Sequence, residues 1–378
     1  MPERRINFLT NLNFIFWLYI IISIAASIHG YLLGIEHYGN YLIFKNSFYN
    51  LTHGRDLYAL YPEWNLDLFK YSPTFSVLFA PFSFIPDYAG VVIWNLMNSM
   101  VLFFAIKSLA IDDRKKSFIL WFILIELITS LQNFQSNGLI AGLMIFTFIF
   151  LEKKKYLVAG VFAGVVFYIK LFGILIGLLW FLFEGKARVA VSVIISLFIL
   201  FLLPLLFVSP QELKTIYQSW FHLLSTDTPH ELNHSVMSIL KNWFSLDVNK
   251  VFVQIAGLLL LAAPLVKQKY FSEKHFQFLF LSSILIWTII FNHKAESATY
   301  IIAVTGCAIW FFNSEKSTQN IILVIILFLL TILSPTDLFP KTIRENYIVP
   351  YSLKALPCIL IWVKIQYELL SYKGVREN

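Results

Sequence analysis

Along the chain, long apolar blocks alternate with short charged turns and two long polar stretches. The blocks fall at about 12–34, 88–109, 117–131, 138–151, 189–208, 250–266, 276–292, 298–313, 319–334 and 351–369. A membrane span needs roughly 20 apolar residues, so the pattern predicts about ten to twelve membrane helices. Residues 156–183 are apolar except for Lys170 at their middle, which predicts two half-length helices meeting at that lysine rather than one span. Polar loops occupy 35–72 and 209–249, and a short Pro-bounded apolar piece, PTFSVLFAPFSFIP, runs from Pro73 to Pro86. Inside the first loop, Tyr41, Phe44, Phe48 and Tyr49 recur at near-helical spacing, which predicts an amphipathic helix lying on the membrane surface. Trp220, Phe221, Leu223 and Leu224, and later Trp243 and Phe244, predict the same habit in the second loop.

Composition agrees with the pattern. The 378 residues are 58% hydrophobic and 13% charged, with a mean hydropathy of +0.72, whereas soluble domains carry about 25% charged residues. The fold class is therefore all-α, a polytopic membrane protein, with residues 1–378 forming one transmembrane domain and no room for a separate soluble one. MPERR leads into the first block without a small-residue cleavage site, so that block is expected to be a retained anchor. Cys307 and Cys358 lie inside apolar blocks and offer no disulfide framework.

The formal charge of +7 is the excess expected of basic cytoplasmic loops rather than of a nucleic-acid surface. Arg4/Arg5, the 107–116 cluster, Lys153–Lys155, Lys186/Arg188, Lys267/Lys269/Lys274, Lys316 and Lys373/Arg376 mark that side. On this assignment the N-terminus is cytoplasmic, and the loops at 35–72, 132–137, 209–249, 292–297 and 335–349 face outward. If 73–86 crossed the membrane the next basic cluster would fall outside, so a re-entrant half helix is expected there.

Four polar features then converge on the outer face: the first loop, the QNFQSN knot at 132–137, the break at Lys170 and the turn NHKAES at 292–297. Polar groups at membrane depth are tolerated where they pair or line a cavity, so an outward-facing polar cavity is expected. Lys170 would cost about 2.5 to 3.5 kcal/mol at the centre of a lipid-exposed helix, and beside a cavity it suits an anion such as a lipid-linked phosphate. His293, Lys294 and Glu296 are more polar than a solvated turn requires. Glu126, inside an apolar block, reads equally well as a satisfied buried carboxyl. Candidate bases in the first loop are Glu36, His37, Asp56, Glu63 and Asp67. Metal chemistry has weak support: His230 and His234 are four apart, but Pro229 and the lack of an HExxH glutamate argue against a zinc protease. No DxD stands in an outward loop, and no Walker, GxSxG or GxGxxG motif occurs in context.

The order of certain pieces is similar to that of glycosyltransferase family 87, C-class membrane transferases related to polyprenol-phosphate-mannose-dependent mannosyltransferases. These pieces are GRDLY at 54–58, KYSPTFSVLFAPFSFIP at 70–86, WNLMN at 94–98, QSN at 135–137, Lys170, NHSVMSIL at 233–240 and the 292–299 turn. The resemblance spreads over roughly residues 1–310 and is collective. It implies a bundle of about 10–13 spanning or half-span helices and a polyprenyl-phosphate sugar donor used at the outer face, mannose being the family's usual sugar. It also implies an acidic base in the first outward loop. No cofactor is expected. The partners implied are membrane lipids, the lipid-linked donor and a glycan or glycolipid acceptor, with no nucleic acid, in a bacterial inner membrane. The matched pieces nominate Asn40, Lys70, Tyr71, Gln135, Asn137, Lys170, Asn233, Ser235, His293 and Lys294 as substrate-binding residues.

The sequence departs from the family twice. Where the family carries Asp-Phe early in the loop, Asn40-Tyr41 stands here, and Asn cannot be a general base. The family's Gly-Gln-x-Asn becomes Phe134-Gln135-Ser136-Asn137. The base is therefore expected to have moved, with Glu36, Asp56 and Glu296 as catalytic candidates. A flippase or transporter, or a non-catalytic glycan-lipid-binding relative, are the alternatives; transporters tend to show internal repeats, and none is visible.

Overall fold

The computed structural model describes residues 9–62, 67–226 and 234–374, and these are helical with no strand among them. Helix α1 (Leu12–Leu32) begins where the Asn11 side chain accepts the N–H groups of Asn13 and Phe14, a standard way of satisfying a helix's first donors. It pairs antiparallel with α5 (Asp87–Lys107). The Ser27 hydroxyl donates to the Val91 carbonyl at 3.3 Å, the Ser23 and Ser99 hydroxyls lie 2.6 Å apart, and Phe16 packs on Phe103 and Phe104.

That pairing sets the end of α1 and the start of α5 at the same end of the bundle, so the intervening residues 33–86 do not cross it. They hold α2 (Gly39–Thr52), α3 (Pro73–Leu78) and α4 (Ala80–Ser83). The re-entrant reading of 73–86 matches this geometry. Ser72 starts α3 by accepting the Phe75 N–H at 3.2 Å, with Pro73 as its first residue, where a missing N–H costs nothing. The surface helix expected at 40–50 is present as α2, but its apolar side faces protein rather than lipid. Tyr41, Phe44 and Phe48 are buried, and Phe44 meets Phe75, Phe79 and Trp94 edge-on with centroids 5.2, 5.6 and 5.8 Å away. The re-entrant segment supplies the aromatic surface that the bilayer would otherwise have supplied.

Helices α6 (Asp113–Gln132) and α7 (Asn137–Glu152) flank the knot, and α8 (Tyr156–Ile169) stops at Lys170. The next residues, Leu171–Leu182, form a tight 3₁₀ helix that turns back along α8. A Cβ on Gly173 would lie 2.2 Å from Val166 Cγ1, so only glycine allows this approach. Lys154 and Glu184, at the two feet of the hairpin, pair at 2.8 Å. The two half-length helices predicted around Lys170 are thus the limbs of one hairpin. Helix α9 (Lys186–Leu202) packs on α8 across Gly160, where a Cβ would meet the Ser192 carbonyl at 2.7 Å.

The chain continues through α10 (Pro210–Thr226), α11 (Val236–Phe244), α12 (Lys250–Ala262), α13 (Lys274–Ile290), α14 (Tyr300–Asn313) and α15 (Thr318–Leu327). A π-helical turn, Phe328–Leu333, follows α15, and α16 (Leu356–Leu370) ends the fold. The α13 and α14 hairpin is buried on almost every face and forms the centre of the bundle. Among the described residues, α1, α5 and the continuous stretch Lys186–Leu206 are long and apolar enough to cross a membrane alone, and the other apolar helices are shorter. The ends of the bundle differ in kind. One gathers charged turns, including the Glu152–Lys274 ion pair and the Tyr372–Glu273 hydrogen bond of 2.9 Å. The other gathers the polar loops.

Candidate active site

The polar end is organised by WNLMN on α5. Trp94 Nε1 donates to the Phe134 carbonyl at 2.9 Å, and Asn95 Nδ2 donates to the Leu131 carbonyl at 3.1 Å. Asn98 Oδ1 accepts the Leu139 N–H at 3.0 Å. Three side chains on one helix thereby satisfy the backbone of the break between α6 and α7, whose exposed groups would be costly at membrane depth. Within the break Phe134 adopts φ +50°, a left-handed conformation that costs a non-glycine residue roughly 1–2 kcal/mol. This explains the glycine of the family pattern. Here the strain is offset by packing: the Phe134 ring is fully buried, and Gly30 of α1 leaves room for it, a Cβ there coming within 2.5 Å of Phe134 Cε2.

The turn at Phe134 presents Gln135 and Asn137 to the centre of the bundle, where a directed chain of hydrogen bonds runs from cation to carboxylate. Lys170 Nζ donates to Asn137 Oδ1 at 2.8 Å, and Asn137 Nδ2 donates to Gln135 Oε1 at 2.8 Å and to the Ala298 carbonyl at 2.9 Å. Gln135 Nε2 donates to Glu296 Oε2 at 2.6 Å. Each amide is fixed by using both of its ends. Glu296 belongs to the turn before α14 and is exposed, while Thr299 Oγ1 steadies that turn by donating to the Glu296 carbonyl at 2.7 Å. Burial, and then the charge of Glu296, push the Tyr71 phenol up from its ordinary value, with a hydrogen bond to Ser136 acting against them.

Tyr71, Gln135, Lys170, Glu296 and Thr299 line a cavity of about 560 Å³. Its polar wall includes Asn40, Lys70, Tyr71, Gln135, Lys170, His293, Lys294 and Glu296. Its other flank is apolar, made by Leu171, Phe172, Ile174 and Leu175 of the 3₁₀ limb and by Val251, Ile255 and Leu258 of α12. Ile174, Val251, Ile255 and Leu258 are among the exposed apolar residues, so this flank of the cavity is open rather than sealed by protein. Such an arrangement can hold an anionic or sugar-like group at one end and an apolar chain at the other.

Not every predicted residue comes to the cavity. Glu36 sits exposed in the turn after α1 and is absent from the cavity lining. Asp56 Oδ1 accepts the Tyr58 N–H at 2.9 Å, just after Gly54 at φ +64°, and it too lies off the lining. GRDLY is thus a turn whose Leu57 and Tyr58 are buried as anchors. Ser235 is buried and caps α11, accepting the Ser238 N–H at 3.3 Å. Asn233, like Glu63, His230, Arg4, Arg5 and Arg376, lies outside the described residues. Asn137 is buried immediately behind the lining, holding Lys170 and Gln135. Asn40 Nδ2 donates to the Asn133 carbonyl at 2.9 Å; an aspartate there would set a carboxylate oxygen against a carbonyl oxygen.

Some lining residues escaped the nomination. Asp67, weighed among the loop carboxylates, stands at the mouth and pairs with Lys70 at 3.1 Å. Gln254 lines the α12 side and donates to the Phe291 carbonyl at 3.2 Å; it is the one polar residue between Val251 and Ala263, a signal visible in the sequence. Among the described residues no three His, Cys, Asp or Glu side chains gather as a metal site would.

A pocket with one polar wall and one open apolar flank, in a bundle of apolar helices, marks a polytopic membrane protein that handles a polar group. The family model for glycosyltransferase family 87 matches residues 69–335, well over half of the chain, and the chain belongs to that family. It is therefore a membrane glycosyltransferase. The matched stretch contains KYSPTFSVLFAPFSFIP, WNLMN, QSN, Lys170, NHSVMSIL and the 292–299 turn, and it begins after Asn40 and GRDLY. No curated protein matches the chain.

Proposed function

We propose that the protein transfers a hexose, mannose by family habit, from a polyprenyl-phosphate sugar to an acceptor hydroxyl. On this reading the outer face of the membrane carries the polar end of the bundle, and Glu296 is the base. The observation that carries it is the Lys170–Asn137–Gln135–Glu296 chain at the polar end of a cavity with an apolar flank. The polyprenyl chain lies along the 3₁₀ limb and α12, and the phosphate meets Lys170 together with His293 and Lys294. An ammonium held by Asn137 at the cavity wall stabilises the phosphate leaving group as negative charge gathers on it. Glu296 takes the acceptor proton, the acceptor oxygen bonds to the sugar's anomeric carbon, and the bond from that carbon to the phosphate oxygen breaks. Polyprenyl phosphate leaves. A hydroxyl is a poor nucleophile until a carboxylate about 3 Å away accepts its proton.

Asn40 and Gln135 bracket the sugar side, and Asp67 with Lys70 forms the mouth through which the acceptor arrives. Asn40 is held by the Asn133 carbonyl as an amide donor, which fits a binding role.

The test uses protein reconstituted in lipid nanodiscs and offered radiolabelled polyprenyl-phosphate mannose, polyprenyl-phosphate glucose or a nucleotide sugar, with a soluble mannoside as acceptor. Transfer from a polyprenyl-phosphate donor supports the reading. Transfer from the nucleotide sugar alone overturns the donor assignment. Lipid-linked sugar crossing the bilayer of proteoliposomes without product would mark a flippase, and binding without turnover a non-catalytic relative.

A further inference from the structure

Behind the cavity lies a second polar cluster that the reaction does not touch. Glu126 on α6 and Lys354, in the turn before α16, form an ion pair with Nζ 2.7 Å from Oε1, their side chains 0% and 2% exposed. Lys354 Nζ donates as well to the Thr331 carbonyl at 3.1 Å, and the Thr331 hydroxyl donates back to the Lys354 carbonyl at 2.8 Å. The ammonium stands 5.1 Å from the centroid of the Tyr300 ring. Such a pair is a poor device for stability alone, because well-packed apolar residues of similar volume generally do as well or better.

Its position suggests a different use. Seven residues on from Glu126, about two helical turns, Asn133 caps the end of α6, and the chain becomes the knot that carries Gln135. On the other side, the Tyr300 hydroxyl donates to the His234 carbonyl at 2.6 Å, and the His234 N–H donates to the carbonyl of Ala295, the residue before Glu296, at 3.0 Å. One buried pair therefore braces both partners of the Gln135–Glu296 hydrogen bond. Lys354 comes from beyond Pro335, where the family match ends.

We infer that Glu126 and Lys354 are a positioning pair that holds Gln135 and Glu296 in register across the cavity. The inference rests on Glu296 being the base of the transfer reaction. A displacement of about 1 Å at a reacting group can lower a rate about 100-fold.

The experiment compares Glu126→Gln, Lys354→Met and the double Glu126→Met/Lys354→Met variant in nanodiscs. Each is assayed for turnover of polyprenyl-phosphate mannose and for thermal unfolding. A parallel set carries Gln135→Cys and Glu296→Cys in a Cys307→Ala/Cys358→Ala background, and a short bifunctional thiol reagent reads the spacing of the two positions. The single variants are expected to lose about 10- to 100-fold in kcat, with the donor KM changed less than about threefold, and to cross-link several-fold less well. The double variant regains thermal stability but neither kcat nor cross-linking. Unchanged kcat and cross-linking in the single variants, or their full recovery in the double variant, overturns the inference. A parent protein that turns over no polyprenyl-phosphate sugar refutes the base assignment instead, and the cross-linking series still decides the positioning role.

Discussion

Replacing Glu296 by Gln separates shape from chemistry at the centre of the site. The amide oxygen of Gln can still accept from Gln135 Nε2, which now meets the Glu296 carboxylate at 2.6 Å, so the wall of the cavity is expected to keep its form. What disappears is the ability to take a proton. General-base catalysis is worth about 10²- to 10⁴-fold, which at 1.36 kcal/mol per tenfold amounts to about 2.7 to 5.4 kcal/mol of barrier. Initial rates in nanodiscs at saturating polyprenyl-phosphate mannose should fall by that factor, while donor affinity and the unfolding temperature stay near those of the parent. Glu36→Gln is the matched control, because Glu36 is an exposed turn residue away from the cavity lining, and it should leave the rate unchanged. A Glu296→Gln rate within about threefold of the parent, about 0.65 kcal/mol, would refute the assignment, and an inactive Glu36→Gln enzyme would transfer the role to that residue.

Three further outcomes follow from the geometry. Lys170→Gln removes the ammonium that meets the donor phosphate, a charged hydrogen bond of the kind worth about 1.5 to 3 kcal/mol, and kcat/KM for the donor should fall about 10- to 150-fold, measured by initial-rate titration. Asn40→Asp should lower stability by about 0.5 to 1.5 kcal/mol, since it loses the donor to the Asn133 carbonyl; restored turnover when it is combined with Glu296→Gln would show instead that position 40 remains the place of the base. Gly30→Ala drives a methyl into the Phe134 ring and should cost about 1 to 3 kcal/mol, with Phe134→Leu in the same chain relieving part of that loss in thermal unfolding.

The apolar pattern located the helices to within a few residues, because burial in lipid or protein demands the same side chains over the same lengths. It also exposed Lys170, since a lone ammonium in an otherwise apolar stretch of 28 residues has few tolerable positions. The gathering of Gln135, Lys170 and the 292–297 turn was legible for the same reason, as each interrupts an otherwise unbroken apolar stretch. Local backbone duties were not legible. Asp56 and Ser235 carry the oxygens that a catalytic or binding role needs, yet one closes a turn and the other starts a helix. The Phe134 conformation was hidden as well, because the residue that permits it, Gly30, lies more than a hundred positions earlier. The partner of Glu126 is 228 residues away in a turn whose composition gives no sign of a buried charge.

The hairpin at Lys170 bears on how the protein is made. Its limbs of 14 and 12 residues span about 21 and 24 Å at the rises of an α- and a 3₁₀-helix, short of the roughly 30 Å hydrocarbon core. Neither limb alone reaches across that core, so the two are expected to enter the bilayer together as one wedge from the side on which their feet remain. The wedge carries an ammonium at its tip, and the oxygen that receives it belongs to Asn137, synthesised 33 residues earlier. Insertion of residues 156–183 is thus coupled to prior placement of α7, and a ribosome-bound chain bearing Asn137→Leu should stall with this wedge on the membrane surface, open to protease.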